Sequence, residues 1–165
     1  MSNAKPSSGK GDGLPWYQDG LSFRCSQCGN CCRIEGYVWL NDREIAEMAD
    51  YLDLELEEFS RRYLRRVNGH ISLIEKPNHD CIFWEDGCSV YPVRPTQCRT
   101  FPFWPEHLES RDAWNEASRD CPGMVGSSKG GRGGGPRARN RRRYSLAEIE
   151  ELQRGHGETG PSKGS

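Results

Sequence analysis

The residues with the clearest chemical meaning in this sequence are cysteines, four of which fall within the eight positions from Cys25 to Cys32. Four more follow at wider spacings. Thiolates are preferred ligands of zinc and of iron–sulfur clusters, and either kind of site normally takes four of them. We therefore predict that all eight cysteines are metal ligands: Cys25, Cys28, Cys31, Cys32, Cys81, Cys88, Cys98 and Cys121.

The spacing of the first three cysteines, C-x2-C-x2-C, matches the run that binds iron–sulfur clusters in bacterial ferredoxins. In that run the cysteine that completes the motif precedes proline, whereas here the Cys-Pro pair is Cys121-Pro122, far downstream. Zinc sites also commonly use C-x2-C pairs. The predicted cofactor is therefore an iron–sulfur cluster or zinc, and the spacing does not decide between them.

Structural disulfides are another use for eight cysteines. The N-terminal residues 1–13 are polar and lack the apolar segment of a secretory signal, and no apolar run approaches the ~20 residues of a membrane span. We therefore expect a cytoplasmic protein with no membrane partner. Disulfides are rare in that reducing compartment, which favours metal binding.

Two adjacent cysteines, Cys31 and Cys32, indicate how the ligands divide if the backbone there is extended. Neighbouring side chains would then project to opposite sides and would not easily chelate one ion. The resulting division has two centres, one with Cys25, Cys28, Cys31 and Cys121 and the other with Cys32, Cys81, Cys88 and Cys98. The competing hypothesis is a single centre with four unliganded thiols, some of them redox active.

Other polar residues near the cysteines have simpler interpretations. The four histidines show no paired ligand spacing, so we predict that none binds metal, although His79 lies two residues before Cys81. No catalytic constellation and no Gly-rich cofactor loop is visible, so the sequence predicts no catalytic residue and leaves enzymatic activity open. The negative charge of a metal with four thiolates would be offset by four arginines that lie beside the ligands: Arg24, Arg33, Arg94 and Arg99.

Two helices are predicted to follow the thiol run. Asn41 and Glu44 have the spacing of a capping box, and Ile45 begins an apolar stripe of helical period behind them. A second helix is predicted from about Glu55 to Val67, ended by Asn68-Gly69. Short strands are predicted before and after this helical pair, over residues 36–40 and 71–74.

A β-hairpin is predicted over residues 81–91, with a two-residue turn at Glu85-Asp86 or at Asp86-Gly87. Pairing across such a hairpin would place Cys81 and Cys88 on one face, next to the thiol run. Prolines then predict an extended, irregular path through Cys98 towards Trp104.

The charge distribution separates a body from a tail. Residues 21–125 carry 12 Lys/Arg against 18 Asp/Glu, whereas residues 126–165 carry 9 against 4 and include most of the glycines. We predict a disordered leader over residues 1–20, in which Trp16-Tyr17 could dock on the body, and a disordered basic tail over 126–165 with a short helix near 145–154. The tail could contact nucleic acid, but it lacks interleaved aromatics, so a solvated tail is favoured.

Residues 21–125 resemble a known family, the CxxCxxCC cysteine-cluster proteins, described as a zinc- or iron-chelating domain. The resemblance rests on the thiol run, on Cys81 and Cys88, on the segment from Tyr91 to Phe103 with its Arg-Pro and Cys-Arg-x-Phe-Pro-Phe motifs, and on Cys121-Pro122-Gly123. It implies metal binding and no particular reaction. A lineage that looks related, the flagellin lysine methylases, carries such a cluster beside additional sequence.

These observations predict a small α+β metal-binding domain with two helices, a β-hairpin and extended loops, flanked by disordered termini. The predicted function is to hold an iron–sulfur cluster or zinc in a structural, electron-transfer or metal-handling role, with a protein partner possible. The alternatives are an accessory cluster domain of a methylase- or redox-type enzyme and a zinc-stabilised module whose tail binds nucleic acid.

Overall fold

The computed structural model describes residues 13–126 and 141–156 of the chain. It confirms the α+β class, with short helices and two small antiparallel sheets. None of the described helices is long and apolar enough to cross a membrane. In chain order the elements are β1 (Leu21–Phe23), β2 (Trp39–Leu40), α1 (Asp42–Tyr51), α2 (Leu56–Tyr63), β3 (Leu64–Val67), β4 (His70–Leu73), α3 (Thr96–Thr100), α4 (Pro105–Leu108), α5 (Arg111–Asp120), β5 (Arg142–Tyr144) and α6 (Leu146–His156).

The start of α1 confirms the predicted capping box. The Asn41 side chain accepts a hydrogen bond from the Glu44 amide, and the Glu44 carboxylate accepts one from the Asn41 amide. Glu44 is buried, and its second carboxylate oxygen accepts a hydrogen bond from the Thr96 amide at the start of α3. An unpaired buried carboxylate would be costly, and both oxygens of Glu44 are paired. The bond from Thr96 ties α1 to the segment that carries Cys98.

The predicted second helix is too long at its C-terminal end. Helix α2 stops at Tyr63, and residues 64–67 form β3, which pairs with β4 to make a three-stranded sheet in the order β2-β4-β3. Asn68 and Gly69 both adopt positive φ and form the turn between these strands, which suits the right-handed twist of a hairpin. Val67, which fits the helical period of α2, therefore lies in a strand, because pairing with β4 outweighs helix propensity.

The predicted hairpin over residues 81–91 is also wrong in detail. Only an isolated antiparallel bridge joins Trp84 to Cys88, and Cys81 instead bridges Glu75 on the preceding segment. The turn is one residue longer than predicted, with Asp86 at positive φ, and the Glu85 amide donates to the Gly87 carbonyl. The observed pair therefore joins two even-numbered residues, whereas the predicted hairpin would pair odd-numbered residues with even-numbered ones.

Apolar side chains form two separate hydrophobic clusters. The first cluster contains eight buried residues from both ends of the chain: Leu21, Phe23, Phe103, Leu108, Trp114, Cys121, Met124 and Ile149. The second cluster contains eight from the middle of the chain: Leu40, Ile45, Met48, Ala49, Phe59, Leu73, Phe83 and Val90. Helix α3 replaces part of the irregular path that was predicted through Cys98 towards Trp104, and helices α4 and α5, which follow that path, were not predicted.

Part of the segment that was predicted to be a disordered tail packs on the first cluster. Strand β5 pairs with β1, Ile149 of α6 is fully buried, and Tyr144 contacts the ring of Phe103. Two of the basic residues bind main-chain carbonyls, since Arg141 donates to Pro122 and Arg143 to Asp19. The structure therefore joins residues 142–156 to the body, while the rest of the predicted tail, 127–140 and 157–165, lies outside the described residues.

The end of the predicted leader also contacts the body. The Trp16 indole N–H donates to the Leu108 carbonyl at 2.7 Å, and the Tyr17 hydroxyl lies 3.4 Å from Gln153 of α6. Both aromatic rings pack against the first cluster. The remainder of the leader, residues 1–12, lies outside the described residues.

Candidate metal centre

The predicted division of ligands assumed an extended backbone at the end of the thiol run. The structure has a helical turn there. Residues Asn30–Cys32 form a turn of 3-10 helix, preceded by Gly29 in the left-handed conformation, φ 78°. The Cys32 thiol donates a hydrogen bond to Cys31. The prediction that these two thiols project to opposite sides is therefore wrong, because successive side chains of a 3-10 turn lie about 120° apart around its axis, whereas those of a strand lie about 180° apart.

Gly29 is required by the close approach of Trp84. A Cβ atom at this position would lie 2.2 Å from the indole ring, far inside van der Waals contact. The guanidinium of Arg33 stacks on the same ring, 5.5 Å from its centroid, and also bonds to carbonyls of the thiol run. The loop with Cys81 and Cys88 is thereby packed directly against the thiol run.

Main-chain hydrogen bonds bring the distant cysteines to the same place. The Cys81 amide donates to the Cys32 carbonyl at 2.6 Å, so Cys81 lies beside the thiol run as predicted. On the opposite side, the Asn30 side chain donates to the Asp120 carbonyl at the end of α5, next to Cys121. The Arg24 amide donates to the Gly123 carbonyl. The backbone of Arg24 lies so close to Gly123 that a Cβ atom there would clash with it.

Cys98 is positioned by the hydrogen bonds of its neighbours in α3. The Gln97 side chain accepts from the Trp39 amide and donates to the Tyr37 carbonyl, both at 2.9 Å. It therefore extends the edge of β2 in the way that another strand would. Together with the bond from Thr96 to Glu44, this fixes α3 against α1 and β2.

All eight cysteines are free thiols, and all eight line one cavity of about 1440 Å³. The cavity lies between the two hydrophobic clusters, because Cys25 and Cys121 pack with the first cluster and Cys81 and Cys88 with the second. Within residues 13–126 and 141–156, no three Cys, His, Asp or Glu side chains are grouped closely enough to hold a single metal ion. The eight thiols thus line the same cavity, and in the described residues they are not already grouped around one ion.

Burial is the main influence on four of these thiols. It raises the pKa of Cys81, Cys88, Cys98 and Cys121, because a thiolate is poorly stabilised away from water. The exposed Cys31 differs, since its pKa is lowered to about 7, first by the hydrogen bond from Cys32 and less by a backbone hydrogen bond and the charge of Arg94. The pKa of Cys32 is raised by the same hydrogen bond. Most thiols of the metal-free protein are therefore protonated at neutral pH.

The electrostatic contacts among the thiols agree with parts of the predicted division and disagree with others. Cys32 interacts with Cys81 and Cys98, and Cys121 interacts with Cys28, as the two proposed groups require. Cys31, however, interacts with members of both groups. The charge of Cys25 raises the pKa of Cys88, which belongs to the other proposed group. The electrostatic interactions therefore do not separate the eight thiols into two groups.

The four predicted arginines all line the cavity, and Arg142 of β5 joins them. Sequence reasoning missed Tyr91, whose hydroxyl hydrogen-bonds the Cys25 thiol, and Trp84, which covers Gly29. Neither has a ligand-like spacing in the sequence, although both lie within three or four residues of a cysteine. His79 and His107 also line the cavity, and His107 binds the Pro102 carbonyl through Nδ1 at 2.9 Å.

Comparison with known proteins agrees with this arrangement. The model of the CxxCxxCC family, "Putative zinc- or iron-chelating domain", matches residues 24–122, more than half of the chain and the whole span of its cysteines. The chain belongs to the CxxCxxCC family. The resemblance inferred from the cysteine pattern is thereby confirmed, and metal binding is the function that the family description supports.

A curated relative comes from Methanocaldococcus jannaschii and is named "Uncharacterized protein MJ0661". It is 32% identical over 90 residues, which cover 53% of this chain and 48% of the relative. The chain thus spans about half the length of this relative. No solved structure matches the chain.

Proposed function

We propose that the protein binds an iron–sulfur cluster through the cysteines of the central cavity, with a structural and electron-transfer role. The observation that carries the proposal is that eight free thiols from four separate segments line one space of about 1440 Å³. The donor set fits either metal of the family description, because thiolates suit both zinc and iron–sulfur clusters. The cluster is proposed on the C-x2-C-x2-C run, which matches that of bacterial ferredoxins although zinc sites also use C-x2-C pairs.

The two metals place different requirements on the thiols. Four thiolates bound to zinc at about 2.3 Å lie in mutual contact. An iron–sulfur cluster instead places iron and sulfide atoms between its ligands. The cavity of about 1440 Å³ has room for either centre and for more than one.

The bound cluster would also cross-link the fold. Thiols that pack on the first hydrophobic cluster and thiols that pack on the second would share one inorganic core. Because metal affinity becomes folding free energy in small cysteine-rich domains, loss of the cluster would loosen the body as well as remove electron transfer. The division of the eight ligands between one centre and two remains a prediction.

The test is purification of the full chain without oxygen, followed by iron and labile-sulfide analysis. A broad absorption near ~400 nm with matching iron and sulfide supports the proposal, whereas a colourless protein with stoichiometric zinc contradicts it. Cys28→Ser should lose bound metal and melt at lower temperature. Ser26→Ala, an exposed change in the same run, is the control and should do neither.

The number of centres can be tested by comparing Cys31→Ser with Cys32→Ser. Two separate centres require each substitution to deplete a different part of the metal. Loss of the whole complement in one variant and none in the other would instead mean a single centre.

A further inference from the structure

Five arginines line the cavity within the described residues, and they differ in how well their charge is shielded from water. Four of them are exposed: Arg24, Arg33, Arg99 and Arg142. Arg94 is partly buried. A charge in a less polar environment acts more strongly on its neighbours and is less weakened by salt, so Arg94 differs from the others in effect as well as in position.

The structure holds the Arg94 guanidinium in one place. It stacks on the ring of Tyr91, 3.7 Å from the ring centroid, and its Nε donates to the Tyr91 carbonyl at 3.1 Å. The backbone is restrained as well, since Arg94 precedes Pro95, which is fully buried, and follows a 3-10 turn over Tyr91–Val93. The charge is therefore placed before any metal binds.

Tyr91 connects this arginine to the thiols directly. Its hydroxyl hydrogen-bonds the Cys25 thiol, and its amide donates to the Cys88 carbonyl at 3.2 Å. The charge of Arg94 favours the thiolate forms of Cys31, Cys88 and Cys98, which come from three separate segments.

We propose that Arg94, held on Tyr91, is a positioning residue that supplies the counter-charge for metal-bound thiolates in the cavity. The inference rests on the proposed metal-binding function. A metal bound by several thiolates carries net negative charge, and a fixed guanidinium offsets it with no change of protein conformation. Outer partners of this kind influence a metal site without touching the metal.

The test is anaerobic titration of the metal-free full chain with Co²⁺, followed by thiolate-to-cobalt absorption. Arg94→Met should bind Co²⁺ about 10- to 100-fold more weakly than the wild type. Arg94→Lys loses the stacked guanidinium as well but keeps the charge, so it should bind about tenfold more tightly than Arg94→Met. The control is Arg43→Met, an exposed arginine outside the cavity that pairs with Glu47, which should match the wild type.

Each outcome separates the two proposals. A wild-type chain that takes up neither Co²⁺ nor, when supplied anaerobically with ferrous iron and sulfide, a cluster contradicts metal binding itself. If the wild type binds and Arg94→Lys is as weak as Arg94→Met, the arginine acts through packing and the counter-charge proposal is overturned. Equal affinity of Arg94→Met and Arg43→Met overturns it too. If Arg94→Met does not fold, Arg94→Gln provides the neutral variant with a polar end for the same comparison.

Discussion

Replacing Gly29 by alanine should destabilise the fold and disturb the thiol run. Gly29 has φ 78°, and a Cβ there would lie 2.2 Å from the Trp84 ring. A side chain in this backbone conformation costs roughly 1–2 kcal/mol. The ring would also have to move by more than about 1 Å to restore ordinary contact, and forcing extra atoms into a packed site typically costs about 1–3 kcal/mol. We expect Gly29→Ala to lower the free energy of unfolding by about 2–5 kcal/mol.

Gly69 provides a matched control. It has a similar backbone conformation, φ 84°, but an added Cβ there would meet nothing within 4 Å. Gly69→Ala should therefore show only the backbone cost, about 1–2 kcal/mol. The assay is chemical unfolding of both variants in the same metal state, with metal content measured in parallel. Equal destabilisation of the two variants would refute the close packing of Trp84 on the thiol run.

Three other predictions concern the tail, the pH dependence and the thiols. Ile149 is fully buried, so Ile149→Ala should cost about 2–5 kcal/mol and lower the melting temperature, whereas the exposed change Glu151→Ala should not; equal melting would contradict packing of α6 on the body. Burial raises the pKa of Cys81, Cys88, Cys98 and Cys121, so the folded metal-free protein keeps protons that the unfolded chain loses. Its melting temperature should therefore fall from about pH 8 to pH 10, and more steeply than that of the metal-bound form. Because the pKa of Cys31 is lowered to about 7 and its side chain is exposed, iodoacetamide should label Cys31 first and Cys98 late in metal-free protein at neutral pH, which peptide mass mapping will check.

Local sequence signals predicted the parts of the fold that depend on neighbouring residues. The capping box of Asn41 and Glu44 acts within one turn, so the start of α1 is where the sequence places it. The end of α2 was mispredicted because β3 forms only by pairing with β4, which is a tertiary interaction. The docking of Ile149 was hidden for a similar reason, since the surrounding Gly- and Arg-rich composition outweighs one short apolar stripe.

The candidate centre could be predicted in composition but not in arrangement. Thiol spacing identified the cysteines that line the cavity, because ligand chemistry is carried by residue type. The direction of Cys31 and Cys32 depends on the left-handed Gly29 and the 3-10 turn that follows, and that conformation reflects packing of Trp84 from 55 positions along the chain. The sequence likewise could not distinguish Arg94 from the other cavity arginines, because its partial burial and its contact with Tyr91 appear only in the structure.

The most direct test of the central claim is the mass of the folded chain measured anaerobically under non-denaturing conditions and again after acid unfolding. An iron–sulfur cluster held by the cavity thiols predicts a folded mass that exceeds the unfolded mass by whole sets of iron and sulfide atoms. The excess should be reduced in Cys28→Ser and retained in Ser26→Ala. Identical folded and unfolded masses, or an excess that corresponds only to zinc, would contradict the account.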